Sequence, residues 1–419
     1  MINYKTTKLF ALLTKCASIS GSIPYSWCAS TKLLKISNSR SYFWFLISST
    51  LNVLYATYLV GVITKELFLP NPDWSALPLP FGTLLISLCS LSVTLNYFDK
   101  IDNIKDIINA IFQFFQHFKE QYVPKQRLDT FRIKGLEEIM GINIFVTFFF
   151  PLVYMLYHYG NPGDRMFYFS LIPTEELRRL LFPLATLFCF YQAFSITSAM
   201  SFYFATFVPP AICILVISKE ILPVNHSKRR LYMTKSSLRK PKNAIATYKA
   251  LWLLTKCACS VAESLVFPLQ NLLTYCVVIC NICMLNFRDG LDIKGIIIVL
   301  SLAVSCLTCW SFVLWIGAMA FKISNAELAT LRRHDWVGSK SDGRKWIKRT
   351  LVALRPIQLS CGGFYTVKMA KILSFTNFIV WATTKVQIFI KGELLDLLPR
   401  GILSYFKEVL KLKDYQILY

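Results

Sequence analysis

The chain has 419 residues, 55% of them hydrophobic and 16% charged, with a mean hydropathy of +0.48. Soluble domains carry about 25% charge, so these proportions exclude a water-soluble globular domain and make a lipid bilayer the expected solvent. The formal net charge of +23 does not indicate nucleic acid, because a nucleic-acid binder gathers its cations on one face of a polar domain and here they sit in loops between apolar runs.

Residues 1–41 read as a cytoplasmic N-terminal segment. Their apolar cluster (Leu9, Phe10, Ala11, Leu12, Leu13) is interrupted by Lys15, too soon for the core of a signal peptide, so the first span is expected to act as its own signal. A helical span needs about 20 apolar residues, since only an internally bonded backbone is stable in hydrocarbon. Six runs satisfy this: 42–63, 77–98, 140–159, 180–218, 265–287 and 295–321. A seventh, 369–390, is more polar and carries Lys371, Thr376, Asn377, Thr383, Thr384, Lys385 and Gln387. The expected fold class is therefore all-α: a polytopic membrane protein with seven transmembrane helices, N-terminus cytoplasmic and C-terminus extracellular. Its domains would be 1–41, a transmembrane domain over 42–390, and an extracellular tail over 391–419.

The fourth run is long for one crossing and short for two with a turn. Pro209 and Pro210 lie near one end, where they would kink it. We read one long helix that projects beyond the bilayer. On that reading 34 of the 46 Lys and Arg residues fall on the cytoplasmic side and 11 outside, with Lys385 inside the last span, as the positive-inside rule demands. The cytoplasmic loops show helical periodicity. Ile104, Ile107, Ile108, Ile111, Phe114, Phe115 and Phe118 repeat at helical spacing over 102–118, and Ile347, Leu351 and Leu354 over 345–354. Residues 338–343 (Gly-Ser-Lys-Ser-Asp-Gly) read as a flexible connector. The basic loop 225–242, with Lys228, Arg229, Arg230, Arg239 and Lys240, reads as mobile.

Catalytic chemistry is not legible. An intramembrane enzyme shows paired carboxylates, a His/Asp cluster or a nucleophile beside its base. The four histidines, His117, His158, His226 and His334, are instead scattered, and the seven runs hold no acidic residue. No GxGxxG, P-loop or HExxH spacing occurs, and no cofactor is implied. Missing intramembrane carboxylates also weigh against an ion-coupled transporter. Of the thirteen cysteines, eight lie in apolar runs and five in segments assigned to the cytosol. They read as reduced thiols packed as small hydrophobes, and although Cys276, Cys280 and Cys283 share a helix face, no metal site is expected.

The most distinctive stretch is 355–390, RPIQLSCGGFYTVKMAKILSFTNFIVWATTKVQIFI. It follows a basic helix, carries Gly363-Phe364-Tyr365-Thr366 just before the last span, and has Gln387 near the far end. With seven spans, an inside N-terminus and this length, the chain resembles the arthropod gustatory and odorant receptor superfamily. In gustatory receptors the last span typically ends in Thr-Tyr, five hydrophobic residues, then Gln-Phe. Aligned on Gln387, this chain has Val380-Trp381 and Ile388 at the flanking positions; the Gln favours the gustatory branch, with an odorant receptor the alternative.

The resemblance implies a tetrameric ligand-gated cation channel in the plasma membrane, gated by a small-molecule tastant or odorant and built from one kind of subunit or from related ones. The seventh span would line the pore. Thr376, Asn377, Val380, Thr383, Thr384 and Gln387 fall on one helical face, so four copies would offer rings of hydroxyls and amides to water. Lys385 lies about 200° around the helix from Gln387, at 100° per residue, and is expected to point away from that face.

A ligand pocket needs apolar walls with a few placed polar groups. Tyr154, Tyr157, Tyr191, Gln192, Ser195 and Ser305, in the outer halves of the third, fourth and sixth spans, with Trp310 as a floor, are the candidates. The competing classes are a G-protein-coupled receptor, opposed by the inside N-terminus and by missing Asp-Arg-Tyr and Asn-Pro-x-x-Tyr motifs, and a transporter or lipid-modifying enzyme. One sequon exists, Asn225-His226-Ser227, and this topology keeps it in the cytosol. The protein is expected to migrate unchanged after endoglycosidase treatment; a mobility shift abolished by Asn225→Gln would invert the topology.

Overall fold

The computed structural model describes residues 4–70, 77–127, 135–222, 232–286, 293–333, 341–361 and 365–391. Ten helices stand in this order among them: α1 (Tyr4–Ile19), α2 (Ser39–Leu67), α3 (Pro78–Asp99), α4 (Ile101–Tyr122), α5 (Leu136–Gly160), α6 (Glu175–Ile221), α7 (Pro241–Asn286), α8 (Ile293–Arg333), α9 (Ser341–Ala353) and α10 (Met369–Lys391). Two short antiparallel hairpins accompany them, β1 (Tyr25–Cys28) with β2 (Leu33–Ile36) and β3 (Ser360–Cys361) with β4 (Tyr365–Thr366). Six helices, α2, α3, α5, α6, α7 and α8, are long and apolar enough to cross a membrane. The chain is a mostly helical, multi-pass membrane protein.

Local signals set the helix ends. Asn38 caps α2 by accepting a hydrogen bond from the Ser41 amide at 3.0 Å. Pro78 opens α3, where its missing N–H costs nothing. Glu175 and Glu176 lie in the first turn of α6, and Arg332 and Arg333 in the last turn of α8, each complementing the helix dipole. Arg332 goes further: it donates to the Leu351 and Leu354 carbonyls at 3.0 and 2.8 Å, satisfying the end of α9.

The fourth apolar run is one continuous helix. α6 spans 47 residues, with Pro183, Pro209 and Pro210 inside it, which at 1.5 Å per residue is about 70 Å. An unbroken helix crosses only once, so two crossings or a re-entrant pair are ruled out. α7 (46 residues) and α8 (41 residues) are similarly long, and a hydrocarbon core is about 30 Å thick. Their excess lengths gather at one end with α4 and α9. There Glu220 of α6 accepts from the Met233 and Thr234 amides and the Thr234 hydroxyl, and Tyr248 of α7 donates to the Arg355 carbonyl at 3.2 Å.

α4 buries Ile104, Ile107, Ile108, Ile111, Phe115 and Phe118, with Phe114 partly covered; it packs on α7 and the first hairpin. Asn109 bonds both backbone groups of Leu34, at 2.7 and 2.9 Å, standing in for a third strand. The periodic loop segments thus belong to a packed bundle. Two loop expectations need correction. Within 225–242 the described part is held, by Glu220 and by Lys235 N–H donating to the Tyr122 carbonyl at 2.7 Å, while residues 223–231 lie outside the described residues. The connector expected over 338–343 is already helical from Ser341; its earlier residues, and the tail beyond Lys391, lie outside the described residues.

α1 lies across α5 and α6 and turns into β1 at Gly21, whose φ is +68°. A Cβ there would stand 2.6 Å from the Trp44 carbonyl oxygen of α2. Gly21→Ala therefore combines left-handed strain of about 1–2 kcal/mol with a backbone clash, and a loss of roughly 2 kcal/mol or more is expected in detergent-solubilised unfolding. An unchanged midpoint would show that the turn relaxes.

Candidate functional site

Ser48, Asn52 and Tyr55 recur at intervals of four and three along α2, on one face of the helix. All three are buried and each finds a partner across the bundle. The Ser48 hydroxyl meets that of Ser195 at 2.6 Å, Gln192 Nε2 donates to Asn52 Oδ1 at 2.6 Å, and the hydroxyls of Tyr55 and Tyr154 bond to each other. In hydrocarbon an unpaired polar group has no water to turn to, so such groups pair across helices. The three contacts make a polar ladder joining α2 to α6 and α5.

At the end of the ladder marked by Tyr55 the seam ends in a cluster of aromatic rings, into which the connection between α5 and α6 packs. Met166 and Phe167 of that connection are 0% and 1% exposed, unusual for loop residues, which normally run over the surface. The Phe167 ring lies 5.3 Å from Tyr154, 5.9 Å from Tyr157 and 4.7 Å from His158. His158 stacks on Phe182 and meets Phe169 edge-on. Its Nδ1 is 3.1 Å from the Thr186 hydroxyl, while its Nε2 is buried with no hydrogen-bond partner.

The connection is fastened on its outer side. Arg165 pairs with the buried carboxylate of Glu66. The Tyr58 hydroxyl is 2.6 Å from the Arg165 carbonyl and 2.8 Å from that of Phe167; with one proton to give, it is shared between them. Tyr157 donates to Asp164 Oδ2 at 2.6 Å, and Tyr55 donates to the Met166 carbonyl at 3.2 Å. Burial pushes the Tyr168 phenol up to about 12, so it stays neutral near pH 7. Apolar walls with a few neutral polar groups suit a small uncharged ligand.

Of the residues singled out from sequence, Tyr154 and Tyr157 are brought together at Phe167, and Gln192 and Ser195 line up along α2. Tyr191 and Ser195 are also bonded to the turn after α1. Tyr191 donates to the Ser20 carbonyl at 3.1 Å, and Ser22 donates to the Ser195 carbonyl at 2.9 Å. The turn after α1 reaches into the bundle at this level, which hydropathy does not register. Trp310 is buried in α8 with an unpartnered indole N–H, and Ser305 is half-buried; neither is joined to the ladder by a hydrogen bond. Sequence reading missed Asn52, Tyr55, Tyr58 and Phe167. The first two carried a usable signal, polar groups at helical spacing inside an apolar run.

α10 packs against α7 and α8 with one face, using Phe375, Ile379 and Ala382. Thr376, Asn377, Val380 and Thr384 lie on the opposite, exposed face, and Gln387 is half-exposed. Thr383 turns inward, where Asn281 of α7 donates to its hydroxyl at 3.4 Å. Lys385 is exposed away from Gln387, its ammonium 6.0 Å from the Trp381 ring centre. Residues 362–364, which include Gly363 and Phe364, lie outside the described residues.

The twelve cysteines other than Cys361 are free thiols. Cys276 lies within reach of Cys280 and Cys306, yet among the described residues no group of three His, Cys, Asp or Glu side chains is arranged to hold a metal.

No family model and no curated protein sequence matches the chain. Solved structures do. An insect olfactory receptor, OR5 from Machilis hrabei in complex with eugenol, superposes with a TM-score of 0.65 at 11% identity, over 91% of this chain and 98% of that one. A second structure of the same receptor gives 0.62 at 12% identity, over 90% and 97%. The chain shares this receptor's fold over about nine-tenths of its length.

The ladder is expected to carry measurable coupling. In a cycle of Asn52→Leu, Gln192→Leu and the double variant, the interaction should come to roughly 0.6–1.7 kcal/mol, the range of interhelical hydrogen bonds in membranes. Detergent unfolding measures it. A value near zero would mean that each amide finds another partner.

Proposed function

We propose that this chain is a chemosensory receptor of the arthropod gustatory and odorant type, a ligand-gated cation channel of the plasma membrane. One observation carries the reading: the fold is shared over nearly the whole of both chains with an olfactory receptor solved with a small aromatic molecule, eugenol, bound. In this reading the N-terminus is cytoplasmic, seven helices cross, and four like or related subunits surround a pore lined by α10.

The exposed face of α10 supports the pore assignment. Thr376, Asn377, Val380, Thr384 and Gln387 would form rings of neutral polar groups able to replace part of a cation's hydration, with Thr383 at the packed edge. Lys385 stays off the pore, so its four charges do not oppose cation entry. The ligand pocket is the seam of α2, α5 and α6, with Tyr154, Tyr157, Gln192 and Ser195; Tyr191, Ser305 and Trp310 contribute through neighbouring helices. A tastant is the favoured ligand because Gln387 matches the gustatory motif. An odorant receptor of the same superfamily is the alternative reading.

The test is heterologous expression with a terminal tag and current recording against a panel of small neutral compounds. The N-terminal tag should stain only after permeabilisation, and at least one compound should evoke a cation current. Lys385→Gln should leave cation-over-anion selectivity unchanged, whereas Asn377→Leu should cut unitary conductance by about twofold or more. An external N-terminus, or a large gain in cation selectivity in Lys385→Gln, would overturn the assignment.

A further inference from the structure

We infer that Phe167 is a tethered occupant of a binding site, and that the ligand displacing it is a neutral, single-ring aromatic molecule bearing one hydrogen-bonding oxygen. The inference rests on the seam of α2, α5 and α6 being the ligand pocket, and names what it takes and what guards it.

Three observations carry it. Phe167 belongs to a connection between helices, yet its ring is fully enclosed among Tyr154, Tyr157 and His158. The space is therefore made by the helices and filled by a benzyl group from outside them, which sets the ligand at one ring. The polar groups around it can be re-partnered by a ligand. His158 Nε2 is buried without a partner, and the Tyr55 hydroxyl, already bonded to Tyr154, rests on the Met166 backbone carbonyl at 3.2 Å. A ligand oxygen taking that carbonyl's place would accept from Tyr55, and a ligand hydroxyl would also have His158 Nε2 to donate to. Finally, the connection is held at its rim, where a release would act: Arg165 is half-exposed in its pair with Glu66, and the Tyr58 hydroxyl grips the carbonyls on either side of Met166.

The charged groups of the connection are engaged, Arg165 by Glu66 of α2 and Asp164 by Tyr157 of α5 and the Met166 amide. A charged ligand would enter without a free counter-ion, which limits the class to neutral molecules. Occupancy by Phe167 lowers the apparent affinity by the fraction of time the site is empty, so weakening the plug strengthens binding.

The experiment uses the full-length protein in lipid nanodiscs and reads thermal unfolding against phenol and anisole, with cyclohexane as the apolar probe lacking both ring electrons and oxygen. In Phe167→Ala both aromatics should raise the melting temperature at concentrations about tenfold below those needed by the parent, and cyclohexane should not. Phe148→Ala, which removes an exposed ring from α5, controls for partition into lipid and should behave as the parent. Tyr58→Phe keeps the ring cluster intact and loosens the plug; it should lower the required concentration severalfold, and it carries the test if Phe167→Ala does not fold. Equal shifts in the parent, Phe167→Ala and Tyr58→Phe would overturn the inference, as would a cyclohexane response equal to that of anisole. Because the readout is binding, failure here leaves a ligand-evoked current intact, and absence of current leaves a melting shift intact, so the two readings fail separately.

Discussion

Hydrocarbon offers no hydrogen bonds, and a helix that crosses it has to satisfy every backbone group from within its own length. That constraint explains why the crossing elements are unbroken, why prolines at 151, 183, 209, 210 and 268 sit inside helices without ending them, and why α6, α7 and α8 run on beyond the bilayer. Once a helix has emerged it continues, and the three long extensions meet α4, α9 and the N-terminal hairpin to form a second body packed by conventional water-driven burial.

Two kinds of cohesion therefore hold one chain. Outside the bilayer the core is aliphatic and aromatic, with Ile104, Ile108, Phe118, Tyr248 and Leu251 all buried. Within it no hydrophobic force draws helices together, so close van der Waals fit and polar pairs such as Asn52 with Gln192 and Ser48 with Ser195 supply the specificity. The turn at Gly21 connects the two regimes, because Ser22 bonds to Ser195 inside the bundle.

The site at Phe167 lies where these regimes meet at the opposite end. Its walls are helical, while its contents arrive on a connection fastened by an ion pair and a tyrosine hydroxyl. α10 shows a related compromise. One face packs on α7 and α8, while the other exposes Thr376, Asn377 and Thr384 beside Leu373 and Val380.

The fold class, the positions of six crossing helices and the amphipathic faces of α4 and α9 are legible in the residues alone, because period and length follow from residues close in the chain. Gln192, Ser195 and Tyr154 also stand out there as polar groups worth attention inside apolar runs. Which groups meet depends on how the helices assemble. Asn52 faces Gln192 across 140 positions of chain, Ser22 faces Ser195 across 173, and Phe167 joins a ring cluster that no local pattern announces. A loop phenylalanine reads as surface until the helices around it are assembled, since its burial depends on their spacing and not on its neighbours in sequence.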